Sequence, residues 1–149
     1  MMGSRRMEIT IVSAEDLPDI RLLGWMKVYT VVSVNGSIRA TNVDREGGTN
    51  PRWNSSFVYA IDEWDLRCRG LDVVVELFCE RTLGDKFIGE VRIPVKNLFE
   101  MGLKSHIILC YSVSSTCCGR LLILYYFEDK CPKRSEANGG GGGRDGDAL

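Results

Sequence analysis

The chain has 149 residues, 44% of them hydrophobic and 26% charged, the composition of one ordinary globular domain with tails and room for a sizeable core. A formal charge of −1 argues against a broad electrostatic footprint for nucleic acid. No stretch reaches the roughly 18 apolar residues of a membrane span, and Glu8 and Thr10 interrupt any apolar signal core behind Met-Met-Gly-Ser-Arg-Arg, so a cytosolic chain is expected.

Residues 1–6 read as an N-terminal tail. Met7, Ile9 and Ile11 then alternate with Glu8 and Thr10, the period of a half-buried strand. The connection that follows, 17–29, holds the turn formers Pro18, Asp19 and Gly24, yet it is rich in apolar residues: Ile20, Leu22, Leu23, Trp25 and Met26. Arg21 and Lys27 are set among them. An apolar, basic loop needs either core to cover it or something outside to bind.

Val28, Thr30, Val32 and Val34 form one strand face, Asn35-Gly36 signals a tight turn, and 38–43 predicts a short strand. A polar loop over 45–51 leads to Trp53, Phe57, Tyr59 and Ile61 on one face, with the phase slipping at Ser55. A connection over 62–70 can hold a helical turn at 63–68. Leu71, Val73, Val75, Leu77 and Cys79 form the cleanest alternation in the chain. A compact loop over 80–86 precedes a strand over 87–94, and 95–101 reads as a linker or helical turn. The last strands, 105–113 and 120–127, are joined by 114–119, and Ile107, Leu109 and Tyr111 can face Leu121, Ile123 and Tyr125 across a core.

About eight short strands between turn signals predict an all-β fold over residues 7–130, a β-sandwich in preference to a barrel. Residues 131–149, with the run Gly139 to Gly143, lack apolar periodicity and read as a flexible Gly-rich tail. That run is no phosphate loop, because no strand precedes it and no Lys-Ser/Thr follows.

Cys68, Cys79, Cys110, Cys117, Cys118 and Cys131 lack the spacing of a zinc site, and a cytosolic chain keeps them as free thiols. The adjacent Cys117-Cys118 reads as a turn pair rather than a lipidation site. His106 is the lone histidine, and no nucleophile elbow, phosphate loop or metal-ligand motif accompanies it, so an enzyme is not expected.

Four segments carry a family resemblance. Met7-Glu-Ile-Thr-Ile-Val-Ser-Ala-Glu-Asp-Leu17 resembles the opening strand of a C2 domain, in the circular form where that strand comes first. Thr49-Asn-Pro-Arg-Trp-Asn54 with Phe57, Asp85-Lys-Phe-Ile-Gly-Glu90, and Gly119-Arg-Leu-Leu-Ile-Leu-Tyr125 resemble its second loop, third-loop exit and closing strand. Val28 to Gly36 with Gly47-Gly-Thr-Asn-Pro51 is similar to small plant proteins of the soybean cold-regulated and BON-association type, single C2 domains with variable tails. The resemblance implies an eight-stranded antiparallel β-sandwich, peripheral placement at the plasma membrane, and a role in plant stress or defence signalling.

It also implies three loops at one end that often hold calcium, which needs six to eight oxygens, several of them carboxylates. Carried over position by position, one ligand falls on Lys27, another on Arg21 or Asp19, and the third-loop pair falls near Cys79 and Arg81. Asp85 or Lys86 takes the last. Asp19, Glu80 and Asp85 are too few against these bases, and pairing with them is expected instead of calcium binding. The expected ligand is an anionic phospholipid surface, with Arg21, Leu22, Leu23, Trp25, Met26, Lys27, Arg81, Leu83 and Lys86 docking from the loops. A second basic surface is expected at Arg39, Arg45 and Arg52, placed by the resemblance along strands three and four. The alternative is a protein-interaction module for a copine-like membrane-associated partner, which Trp25 and Trp53 would suit.

Overall fold

In the computed structural model, which describes residues 3–21, 24–68, 70–102, 109–113 and 119–128, the strand order is that of a two-layer sandwich. The elements are β1 (Ser4–Glu15), β2 (Val28–Val34), β3 (Ser37–Ala40), β4 (Arg52–Asp62), α1 (Glu63–Cys68), β5 (Asp72–Cys79), β6 (Lys86–Pro94), α2 (Val95–Glu100), β7 (Leu109–Ser112) and β8 (Arg120–Phe127). One sheet runs β4-β1-β8-β7 and the other β3-β2-β5-β6, with every pairing antiparallel.

Alternation in the sequence becomes alternation in burial. Val28, Thr30, Val32 and Val34 of β2, and Val73, Val75, Leu77 and Cys79 of β5, all point inward. Met7, Ile9, Ile11, Leu121, Ile123, Tyr125 and Phe127 supply the other half of the same buried cluster. Each such side chain contributes roughly 1.5–3 kcal/mol of burial before ordering costs. Three bulges among the described residues interrupt the rhythm, one of them at Ile88 of β6, between the partners of Leu77 and Phe78. Another at Val12 lets Ile11 to Ala14 all be buried, and a third at Trp53–Asn54 places Asn54 at φ 49°.

Three expectations are corrected. Residues 4–6 are strand rather than tail, because Ser4 pairs with Asp62 and the buried Arg5 finds Glu63. The strand expected over 38–43 stops at Ala40, where the Thr41 hydroxyl accepts the Thr30 N–H in place of a backbone carbonyl. Leu109 and Tyr111 do not oppose Ile123 and Leu121 across the core; they are their register partners in one sheet, as sequence-adjacent strands commonly are. Ile107, His106, Cys117, Cys118 and the 131–149 tail lie outside the described residues.

The two ends of the sandwich differ. At one, α1, α2, the start of β1 and the end of β8 gather around Arg5. Its guanidinium bonds Glu63 at 3.0 Å and the Glu128 carbonyl at 3.0 Å, and it lies over the Phe99 ring. At the other end the β1–β2, β3–β4 and β5–β6 loops meet.

Candidate functional site

The three loops are tied to one another by backbone first. The Leu17 N–H donates to the Thr49 carbonyl, and the Glu80 N–H donates to the Lys27 carbonyl at 2.7 Å. Side chains then set their shape. Asp44 accepts from the N–H groups of Gly47 and Arg52, which folds the β3–β4 loop back on itself. Gly48 sits at φ 60°, and a Cβ there would lie 2.9 Å from Cε3 of Trp25, so the ring rests on bare backbone. The other side of that indole is open, and Trp25 is 66% exposed.

The β5–β6 loop is a tight turn held from below. Asp85 accepts the Tyr29 hydroxyl at 2.6 Å with one oxygen and the Arg81 N–H at 3.1 Å with the other. These hydrogen bonds hold the Asp85 carboxyl below its ordinary range, and the Tyr29 hydroxyl, anchored to that carboxylate, is pushed up to about 12. Tyr29 stacks on Phe78, and Phe78 meets Phe87 edge-on. The turn thus stands on an aromatic row, with Leu83 at its tip 96% exposed.

Between the first and third loops lies an open depression of about 320 Å³ lined by Arg21, Lys27, Glu80, Arg81, Thr82 and Asp85. Its two carboxylates are already engaged. Glu80 is bound by Arg45 from the β3–β4 loop at 2.7 Å, and Asp85 holds Tyr29 and Arg81 N–H. Its cations are not. Arg21 donates to the Trp25 carbonyl, and among the described residues Lys27 and Arg81 have no ion-pair partner.

Several residues stand elsewhere than expected. Met26 is only 1% exposed and accepts the Ile20 N–H at its sulfur, so it belongs to the core and cannot dock. Leu22 and Leu23 lie outside the described residues. The acids do not pair with the neighbouring bases: Glu80 takes Arg45, Asp85 takes Tyr29, and Asp19 accepts the Arg21 backbone N–H.

Arg39, Arg45 and Arg52 form no single patch. Arg45 is a loop residue paired with Glu80, and Arg39 reaches the Val58 carbonyl and the Tyr59 ring. Arg52 begins the same strand six residues earlier, about 20 Å away at the rise of a β-strand. Trp53 is an inter-sheet strut whose indole N–H donates to the Val28 carbonyl. Tyr29, Thr82, Gly48 and the Arg45–Glu80 pairing escaped the sequence reading. The Gly47-Gly48 pair in a polar loop was the one visible signal among them.

The family model for the C2 domain matches residues 5–110. The chain belongs to the C2 domain family. It is 41% identical over 103 residues to Protein SRC2 homolog of Arabidopsis thaliana, covering 66% of this chain and 32% of that one. To Protein SRC2 of Glycine max it is 33% identical over 104 residues, covering 66% and 36%. The chain therefore spans about a third of the length of these curated relatives. A C2 domain of plant Extended Synaptotagmin 1 superposes with a TM-score of 0.74 at 15% identity, over 89% of this chain and 100% of that domain.

The calcium that a C2 fold suggests does not fit this loop end. A hard divalent ion needs several free carboxylate oxygens. Here Glu80 and Asp85 are committed to Arg45 and Tyr29, while Arg21, Lys27 and Arg81 line the same depression. No helix among the described residues is long and apolar enough to cross a membrane.

Proposed function

We propose that this C2 domain is a non-enzymatic docking module that seats its loop end on anionic phospholipid without calcium. The observation that carries this reading is the depression walled by Arg21, Lys27 and Arg81, with the exposed Trp25 and Leu83 projecting from the loops beside it. Tryptophan and leucine favour the headgroup boundary. Each nearby base contributes about 1 kcal/mol on an anionic leaflet, and each large side chain buried about 1.5–3 kcal/mol before ordering costs. That sum gives reversible, salt-sensitive binding, and the reading assigns the domain to the cytoplasmic face of the plasma membrane as a stress or defence adaptor.

The test is vesicle co-sedimentation with phosphatidylserine or phosphatidylcholine, in calcium or chelator. Binding is expected only to the anionic vesicles and equally in both buffers. The double variant Trp25→Ala, Leu83→Ala should bind at least about tenfold more weakly at any salt. Parent-like binding by that variant, still folded, refutes loop docking.

A second reading, a protein-interaction module for a copine-like membrane-associated partner, is favoured by the outer face of the second sheet. Exposed Ile38 and Phe87 flank that face, and Tyr29 and Phe78 stack upon it. It leads if vesicles are ignored.

A further inference from the structure

The charge in the depression and the residues that set it narrow the ligand class. Arg21, Lys27 and Arg81 line the depression with Glu80 and Asp85, and Arg45 pairs with Glu80 from outside the lining. Three lining cations face two carboxylates, and because Arg45 neutralises Glu80, a surplus of two positive charges remains. A phosphodiester headgroup carries one negative charge, whereas a terminal phosphate carries about −1.5 to −2 near neutral pH and three strong acceptor oxygens. Donors of the matching kind are at hand: the guanidinium of Arg81, the ammonium of Lys27 and the hydroxyl of Thr82. The depression is open and about 320 Å³, so a phosphate group enters with its solvent.

Resting on the docking reading above, we infer that this depression is the subsite for a lipid headgroup ending in a phosphomonoester, gripped by Lys27, Arg81 and Arg21. Arg45 is a positioning residue. It does not line the depression, but by holding Glu80 at 2.7 Å it keeps that carboxylate from neutralising Lys27 and Arg81. The surplus of charge depends on this pairing across two loops.

The experiment compares vesicles of matched surface charge, one set carrying phosphatidic acid or phosphatidylinositol 4-phosphate, the other phosphatidylserine. The parent should prefer the phosphomonoester vesicles by about tenfold. Lys27→Gln with Arg81→Gln should erase the preference while weakening phosphatidylserine binding as well, since each base contributes to any anionic surface, with an unchanged unfolding midpoint. Arg45→Gln should reduce the preference, and adding Glu80→Gln should restore it. A charge-matched control, Arg39→Gln, should change nothing.

Equal binding of both lipid classes at matched charge overturns this inference while leaving loop docking intact. Absence of binding to every anionic vesicle overturns the docking reading itself. Should glycerol phosphate shift the Lys27 and Arg81 NMR signals while no vesicle is bound, the lipid assignment is overturned in favour of a soluble phosphate.

Discussion

At the helix end of the sandwich, Arg5 and Glu63 form an ion pair with side chains only 8% and 1% exposed, roofed by Phe99 and joined by Arg67 at 3.4 Å. At the loop end, Arg21, Lys27 and Arg81 face an open depression whose carboxylates are spoken for by other groups. The residue types are the same and their roles opposite. A cation enclosed with its counter-ion fixes one arrangement of β1, α1 and the end of β8. Cations left in surplus around open space keep their field for a ligand. Aromatic rings divide in the same way. Phe99 and Phe127 meet edge-on inside the helix end, whereas Trp25 has one face on Gly48 and the other on solvent.

This contrast can be broken at either end. The largest effect is expected at Arg5→Ala, which leaves Glu63 buried without its main partner and should cost about 3–5 kcal/mol of stability. Denaturant unfolding measures it, and the folded fraction should bind vesicles as the parent does. A small loss would show that the helix end is no more dependent on its charges than the loop end. Trp25→Ala with Leu83→Ala should do the reverse. Its large loss of vesicle affinity should come with a change of only about 0.5 kcal/mol in stability from the exposed Leu83, plus whatever packing Trp25 loses on Gly48.

Gly48→Ala sharpens the comparison, because it touches the site through the backbone. The added methyl meets Trp25 at 2.9 Å and L-residues are strained at φ 60°, so about 1–2 kcal/mol is expected. The Trp25 fluorescence should shift as its ring is displaced. An unaltered spectrum with full stability would remove Gly48 from the account.

The smallest effect concerns the Tyr29–Asp85 bond beneath Leu83. Its carboxylate partner raises the folded-state pKa of Tyr29 to about 12, above the ordinary 10.0. The stabilisation from that bond is therefore complete below about pH 10 and lost as pH rises through about 12. For Asp85, whose pKa is lowered, the contribution is present above its ordinary 3.8 and lost as pH falls through the depressed value. The Tyr29 ring-carbon NMR signal should titrate near 12 in the parent and nearer 10 in Asp85→Ala. Identical titrations would show that Asp85 does not hold Tyr29.

Most of the fold was legible because its signals are local. The alternation of Val73, Val75, Leu77 and Cys79 states which face is buried, and Asn35-Gly36 states where the chain turns. The site was legible only in composition. Arg21, Lys27, Arg81, Trp25 and Leu83 stood out as misplaced for a surface loop or an acidic site. Met26 looked the same in sequence and proved to be core. Periodicity assigns faces within a strand, but a loop has no period, so no local rule separates Trp25 from Met26.

The sequence by itself determined the all-β class, most of the strand positions, the inward faces of β2, β5 and β8, and the excess of base over acid in the loops. Tertiary structure alone decided the partners. It set Arg45 on Glu80 across 35 residues, Tyr29 under Asp85 across 56, and Arg5 beside Glu63 across 58. Charge along a chain is additive and can be counted. Which charge is neutralised depends on distances of about 3 Å between side chains far apart in sequence, and these exist only once the two sheets have packed.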